Sequence, residues 1–75
     1  MPFRTIPTAP SSNIAPDGVS YEDDSKTLRV VFLRGGRVYH YFGVDVRTAE
    51  GFSRAQSPGA YLNTFIKGVF PFEEE

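Results

Sequence analysis

The fold turns on residues 28–44, "LRVVFLRGGRVYHYFGV". Residues 27–34 and 37–43 are rich in the β-branched and aromatic side chains that suit a pleated, half-buried surface. Between them, Arg34-Gly35-Gly36-Arg37 reads as a two-residue hairpin loop, because glycine accepts the positive φ of a type I′ turn without steric penalty. Counting outward from Gly35-Gly36 pairs Arg34 with Arg37, Phe32 with Tyr39, Val30 with Tyr41 and Arg29 with Phe42. Directly opposed residues share a face. One face then holds Leu28, Val30, Phe32, Tyr39 and Tyr41, all apolar or aromatic, and is the core face. The other holds Arg29, Val31, Leu33, Val38, His40 and Phe42, a mixture of charge and apolar surface.

Working outward, Val19 and Tyr21 alternate with polar neighbours as a preceding strand, and Asp23 to Lys26 supply its turn. After the hairpin, "VDVRTAEGFSRAQ" fits a short helix with Asp45 as N-cap and Val46, Ala49 and Phe52 at helical spacing. Gly51 weakens that helix by about 1 kcal/mol relative to alanine. "SPGAYLNTFIKG" fits a second helix: Ser57 as N-cap, Pro58 at the first helical position, an apolar stripe of Tyr61, Leu62, Phe65 and Ile66, and Gly68 to close it. The expected fold class is α+β, a small antiparallel three- to four-stranded sheet with two short helices packed on one face.

Residues 1–16 carry four of the six prolines, which lack an N–H and disfavour helix before them. They read as an extended arm spotted with Phe3, Ile6 and Ile14, able to dock on the domain or on a partner. A single domain over 17–72 follows, and Glu73-Glu74-Glu75 reads as a solvated acidic tail.

The chain has 75 residues, a formal net charge of −1 and no cysteine. One domain is the limit, and disulfide or thiolate-metal staples are excluded. Core burial leaves a chain of this size roughly 3–5 kcal/mol of net stability. Seven Phe and four Tyr supply much of the apolar area. No apolar run approaches the ~20 residues that span a bilayer, and Arg4 is not followed by the apolar core of a secretion signal. A cytoplasmic monomer is the expectation.

Chemistry-bearing constellations are sparse. His40 is the only histidine, no serine sits in a nucleophile motif, and one histidine without cysteine does not make a metal site. No enzyme activity, cofactor or metal is expected. The candidate partner-binding residues are Phe3, Arg4 and Ile6 of the arm, with Arg29, Arg34, Arg37, His40 and Phe42 of the hairpin. Arginine and aromatic side chains dominate interface energies, and Arg29, Arg34, Arg37 and Phe42 can cradle a single-stranded nucleic acid by charge and stacking. A net charge of −1 counts against RNA, since phosphate affinity comes from cations.

The segments "SSNI", "LRVVFLRGGRVYHYFGV", "SPGAYLNTFIKG" and the trailing "FP" resemble the KTSC domain over residues 11–71. That domain is named for the C-terminus of some lysyl-tRNA synthetases and also occurs alone in bacteria and phages. Its most specific parts are the Tyr-x-Tyr at Tyr39 and Tyr41, and Ser57-Pro58-Gly59-x-Tyr61 with Asn63. The resemblance implies no firmly assigned activity, although RNA binding has been suggested. The family usually carries acidic residues on the outer face of its second strand, where Arg29, Val31 and Leu33 stand here. In size and in its extended arm the chain also resembles small RNA-polymerase-binding proteins of Xanthomonas phages. That resemblance implies a contact with the amino-terminal part of the host polymerase β′ subunit, inhibition of transcription initiation, and antitermination. A module binding bacterial RNA polymerase is thus the first expectation, and an RNA- or tRNA-binding KTSC module the second.

Overall fold

A computed structural model describes residues 2–75. Five antiparallel strands form one meander in the order β1 (Arg4–Thr5), β2 (Ile14–Glu22), β3 (Thr27–Phe32), β4 (Val38–Tyr41) and β5 (Phe72–Glu74). The helical layer lies between β4 and β5 in sequence. It consists of α1 (Val46–Glu50) with a 3-10 turn over Gly51–Arg54, then α2 (Pro58–Tyr61) with a π-helical turn over Leu62–Ile66.

Both predicted N-caps form. The Thr48 amide donates to Asp45 Oδ2 at 3.1 Å, and the Ala60 amide donates to Ser57 Oγ at 3.3 Å, with Pro58 opening α2. Each cap satisfies one of the orphan N–H groups at a helix start. The first helix gives way to the tighter 3-10 turn at Gly51. The glycine has a packing reason there, because a Cβ at 51 would collide with the Tyr61 hydroxyl, which donates to the Thr48 carbonyl at 2.7 Å.

The core is the inner sheet face against these helices. Ile6, Ile14, Val19, Tyr21, Leu28, Val30 and Tyr41 meet Val44, Ala49, Phe52, Leu62 and Ile66, all at most 2% exposed. Tyr21 buries its ring and donates its hydroxyl to the Val44 carbonyl, so the polar tip is satisfied inside the core.

The hairpin register differs from the expected one. Leu28 pairs with Tyr41, Arg29 with His40, Val30 with Tyr39 and Val31 with Val38, and the Phe32 amide donates to the Arg37 carbonyl at 2.8 Å. The pairing has moved by two residues, because Leu33 and Arg34 join Gly35 and Gly36 in a longer loop. Leu33 is helical (φ −63°, ψ −45°), and both glycines keep positive φ (76° and 61°). Leu33 leaves the strand because its amide donates to the Asn13 carbonyl at 3.0 Å. The face assignments survive, since side chains alternate with period two and an even shift preserves parity.

Two further corrections concern the ends. The sheet has five strands, not three or four, because segments read as arm and tail add one strand to each edge. Arg4 and Thr5 pair with Tyr21 and Ser20, Ile6 donates to the Val19 carbonyl at 2.8 Å, and the 16/17 division falls inside β2. Glu73 and Glu74 pair with His40 and Tyr39, and the Glu75 amide donates to the Val38 carbonyl at 2.8 Å. The acidic tail, while solvent-exposed, is therefore paired along the sheet edge.

Candidate functional site

The sequence-derived site residues do not form one surface. Ile6 is 2% exposed and belongs to the core, so no partner can reach it. Arg4 is held in place by its own chain. Its Nε lies 2.8 Å from Asp23 Oδ1, one Nη 3.1 Å from Glu50 Oε2, and its guanidinium sits over the Tyr21 ring. Those carboxylates raise the Arg4 pKa, and the Arg4 hydrogen bond lowers that of Asp23. Arg4 thus fastens β1 to α1.

Arg29 and His40 point to the outer face as expected, and Phe3 stacks on His40 with ring centroids 5.8 Å apart. The charge of that face is different from the expectation. Glu75 Oε1 lies 3.4 Å from Arg29 Nε and 3.0 Å from His40 Nε2. The His40 contact is close but lacks hydrogen-bond geometry. The Glu75 carboxylate, just beyond the edge strand, thus offsets the Arg29 charge on this face. Phe42, half-buried just beyond β4, donates its amide to the Pro71 carbonyl at 2.9 Å.

Arg34 and Arg37 lie elsewhere, at the hairpin end of the inner face. They border a cleft of about 850 Å³ between the β3–β4 end and the α2 layer. Its aromatic wall is Phe32 and Tyr39, whose rings meet edge-on at 5.3 Å. The opposite wall is Gly59, Leu62, Asn63 and Lys67, and Ser12 with Asn13 closes one end. The π-helical turn sets this wall: the Lys67 amide donates to the Leu62 carbonyl at 2.8 Å, an i→i−5 bond that widens the last turn.

Asn13 joins the two walls. Its carbonyl accepts from Leu33 in the hairpin loop, and Ser11 Oγ accepts from the Asn13 and Ile14 amides at 3.0 and 3.2 Å. Its side chain abuts α2, where a Cβ on Gly59 would lie 2.8 Å from Asn13 Nδ2. Only glycine lets the loop and the helix approach this closely.

Three cations, Arg34, Arg37 and Lys67, ring the cleft. Among the described residues, Arg34 and Lys67 have no ion-pair partner, while Arg37 Nη1 lies 3.6 Å from Glu74 Oε1. An exposed pair at that distance is worth about 0–1 kcal/mol. The cleft therefore combines aromatic rings, amide side chains and cations, a set chemically suited to an anionic group beside a flat one. Among the described residues no cluster of His, Cys, Asp or Glu is arranged for a metal ion, and no helix is long and apolar enough to cross a membrane.

The sequence profile of the KTSC domain matches residues 10–70. This chain belongs to the KTSC family. It is 44% identical over 55 residues to a lysine–tRNA ligase of Nostoc punctiforme, a match covering 73% of the chain and 10% of the ligase. It is 41% identical over 54 residues to a lysine–tRNA ligase of Trichormus variabilis, covering 72% of the chain and 9% of the ligase. The chain thus spans about a tenth of the length of these curated relatives. A crystal structure of a KTSC domain protein from Yersinia pestis superposes with a TM-score of 0.85 at 28% identity, covering 99% of both chains.

The family's specific segments meet at the cleft. Ser12 and Asn13 of "SSNI", Tyr39 of the Tyr-x-Tyr pair, and Gly59 and Asn63 of the "SPGAYLN" stretch all line it. Tyr41, the other tyrosine of the pair, is 1% exposed, and burial raises its pKa. Of the sequence-derived site residues only Arg34 and Arg37 line the cleft. Asn13, Asn63 and Lys67 were missed, although the first two stand within the motifs that carry the family resemblance.

Proposed function

We propose that this KTSC chain is a non-enzymatic RNA-binding module whose contact surface is the cleft between the hairpin end and α2. The observation that carries the reading is the convergence of Arg34, Arg37 and Lys67 around the Phe32 and Tyr39 rings. Cations supply phosphate affinity, and aromatic faces accept bases. A net charge of −1 is compatible with this, because Asp23 and Glu50 are engaged by Arg4 and Glu75 lies on the outer face, which leaves Glu74 as the carboxylate beside a cleft cation. The similarity to a segment of lysine–tRNA ligases makes a transfer RNA the first ligand to try.

Titration of fluorescently labelled transfer RNA over a series of salt concentrations tests the reading. Binding that weakens with salt by a log–log slope of about −2, as for three phosphates at roughly −0.7 each, is expected. Absence of binding at low salt, or affinity indifferent to salt, sinks it.

A polymerase-binding module is the competing reading, favoured by one observation. Phe3 is 41% exposed on top of His40, so the arm and the outer face share one surface beside Arg29. Its test is capture of the amino-terminal β′ fragment of a bacterial RNA polymerase. Capture abolished by Phe3→Ala, in the absence of RNA binding, replaces the RNA reading with this one.

A further inference from the structure

We infer that the cleft takes an unpaired, single-stranded segment, and that Glu74 is a built-in anion competing with its phosphate for Arg37. The inference rests on the RNA reading above and narrows it.

The single-strand requirement follows from shape. Phe32 and Tyr39, both half-buried, form one wall of a concavity whose opposite wall is α2 and the π-helical turn. A base reaches those ring faces only after leaving its own stack, which bases in a duplex do not readily do. Arg34, Arg37 and Lys67 surround the concavity from the hairpin and the helical layer. They come from separate elements, the hairpin loop and the end of the π-helical turn. Asn13 and Asn63, both exposed on the cleft lining, add amide donors and acceptors able to meet base edges exposed by unpairing.

The role of Glu74 follows from strand alternation. In β5, Glu74 pairs with Tyr39 and Glu73 with His40. Glu74 therefore stands on the cleft side, where it contacts Arg37 at 3.6 Å, while Glu75 joins Arg29 and His40 on the other side. An incoming phosphate and the Glu74 carboxylate want the same guanidinium. The contact is long and both side chains are largely exposed (62% and 46%), so a ligand displaces Glu74 at little cost. The carboxylate sets the affinity and does not block the site.

Anisotropy titrations of the full chain with a single-stranded pyrimidine hexanucleotide and a blunt RNA duplex of matched length test both parts. The single strand should bind more tightly by about fivefold or more, the low end for one stacked base. Tyr39→Leu should remove most of that preference, with circular dichroism checking that the fold persists. Glu74→Gln, at an exposed position, should tighten single-strand binding about two- to fivefold, the span of an exposed ion pair. Glu75→Gln should leave it unchanged. A duplex bound as tightly as the single strand overturns the single-strand inference while the RNA reading stands. Unchanged or weaker binding by Glu74→Gln overturns the competitor role. No binding of either RNA removes this inference and the RNA reading together.

Discussion

The two ends of the hairpin's cation set differ in how the rest of the chain treats them. On the outer face, Arg29 and His40 share the Glu75 carboxylate, and Phe3 lies on the imidazole. At the cleft, Arg34 has no carboxylate partner among the described residues and Arg37 has a long one. These arginines stand close together in sequence and look equivalent in composition. A three-residue strand separates them, because its alternation sends Glu74 to one side of the sheet and Glu73 and Glu75 to the other. A basic residue is available to a ligand only where the fold has not already neutralised it.

The largest test of this two-sided sheet is stability. Tyr41→Ala removes a ring that is 1% exposed on the inner face, and about 3–5 kcal/mol should be lost, as for other large aromatics. That is comparable with the roughly 3–5 kcal/mol that a core of this size supplies, so the variant should be largely unfolded in a urea titration. His40→Ala, its outer-face neighbour, should lose less than about 1 kcal/mol, since it removes a contact with Glu75 that lacks hydrogen-bond geometry and one partly exposed stack. Equal losses at the two positions would break the inner–outer distinction.

Binding comes next in size. Arg34→Gln combined with Lys67→Gln should lower the salt slope for transfer RNA by about 1.4, roughly 0.7 for each phosphate contact removed. Arg29→Gln should leave the slope alone. An effect of Arg29→Gln matching the double variant would move the site to the outer face.

Acid should give the smallest effect. Hydrogen bonds lower the pKa values of three carboxylates: Glu22 from the Ser25 hydroxyl, Asp23 from Arg4, and Asp45 from Thr48. A depressed folded pKa adds stability above the unfolded value, near 4.5 for Glu22 and 3.8 for the aspartates. That stability is lost as pH falls through the folded values. Urea midpoints should therefore hold steady near neutrality and decline below about pH 4. None of the three carboxylates touches the cleft cations, so Glu74→Gln should leave the decline unchanged. A decline that moves with Glu74→Gln would tie the cleft to overall stability.

The sequence made much of the fold legible for local reasons. Asp45 and Ser57 declare helix starts because their oxygens reach amides three residues on, and Pro58 confirms the second start. The hairpin faces were legible because a two-residue change of register does not change parity. The loop length was not, because it depends on Leu33 bonding to Asn13, twenty positions away. β1 and β5 were hidden for the same reason. Two- and three-residue strands carry little periodic signal, and their partners lie far along the chain. Of the site, Arg34 and Arg37 were visible as exposed hairpin cations, whereas Asn13 and the Asn63–Lys67 turn come from two segments distant from the hairpin and from each other.

Alternation of side chains, turn residues and caps are properties of neighbouring residues, so the sequence alone determined the hairpin, its core face and both helix starts. Which charges cancel, which arm residue is buried and where the family's motifs meet depend on contacts between distant segments. Only the tertiary structure decided those, because edge-strand pairing and the Asn13 bridge between loop and helix form once the chain has closed on its core.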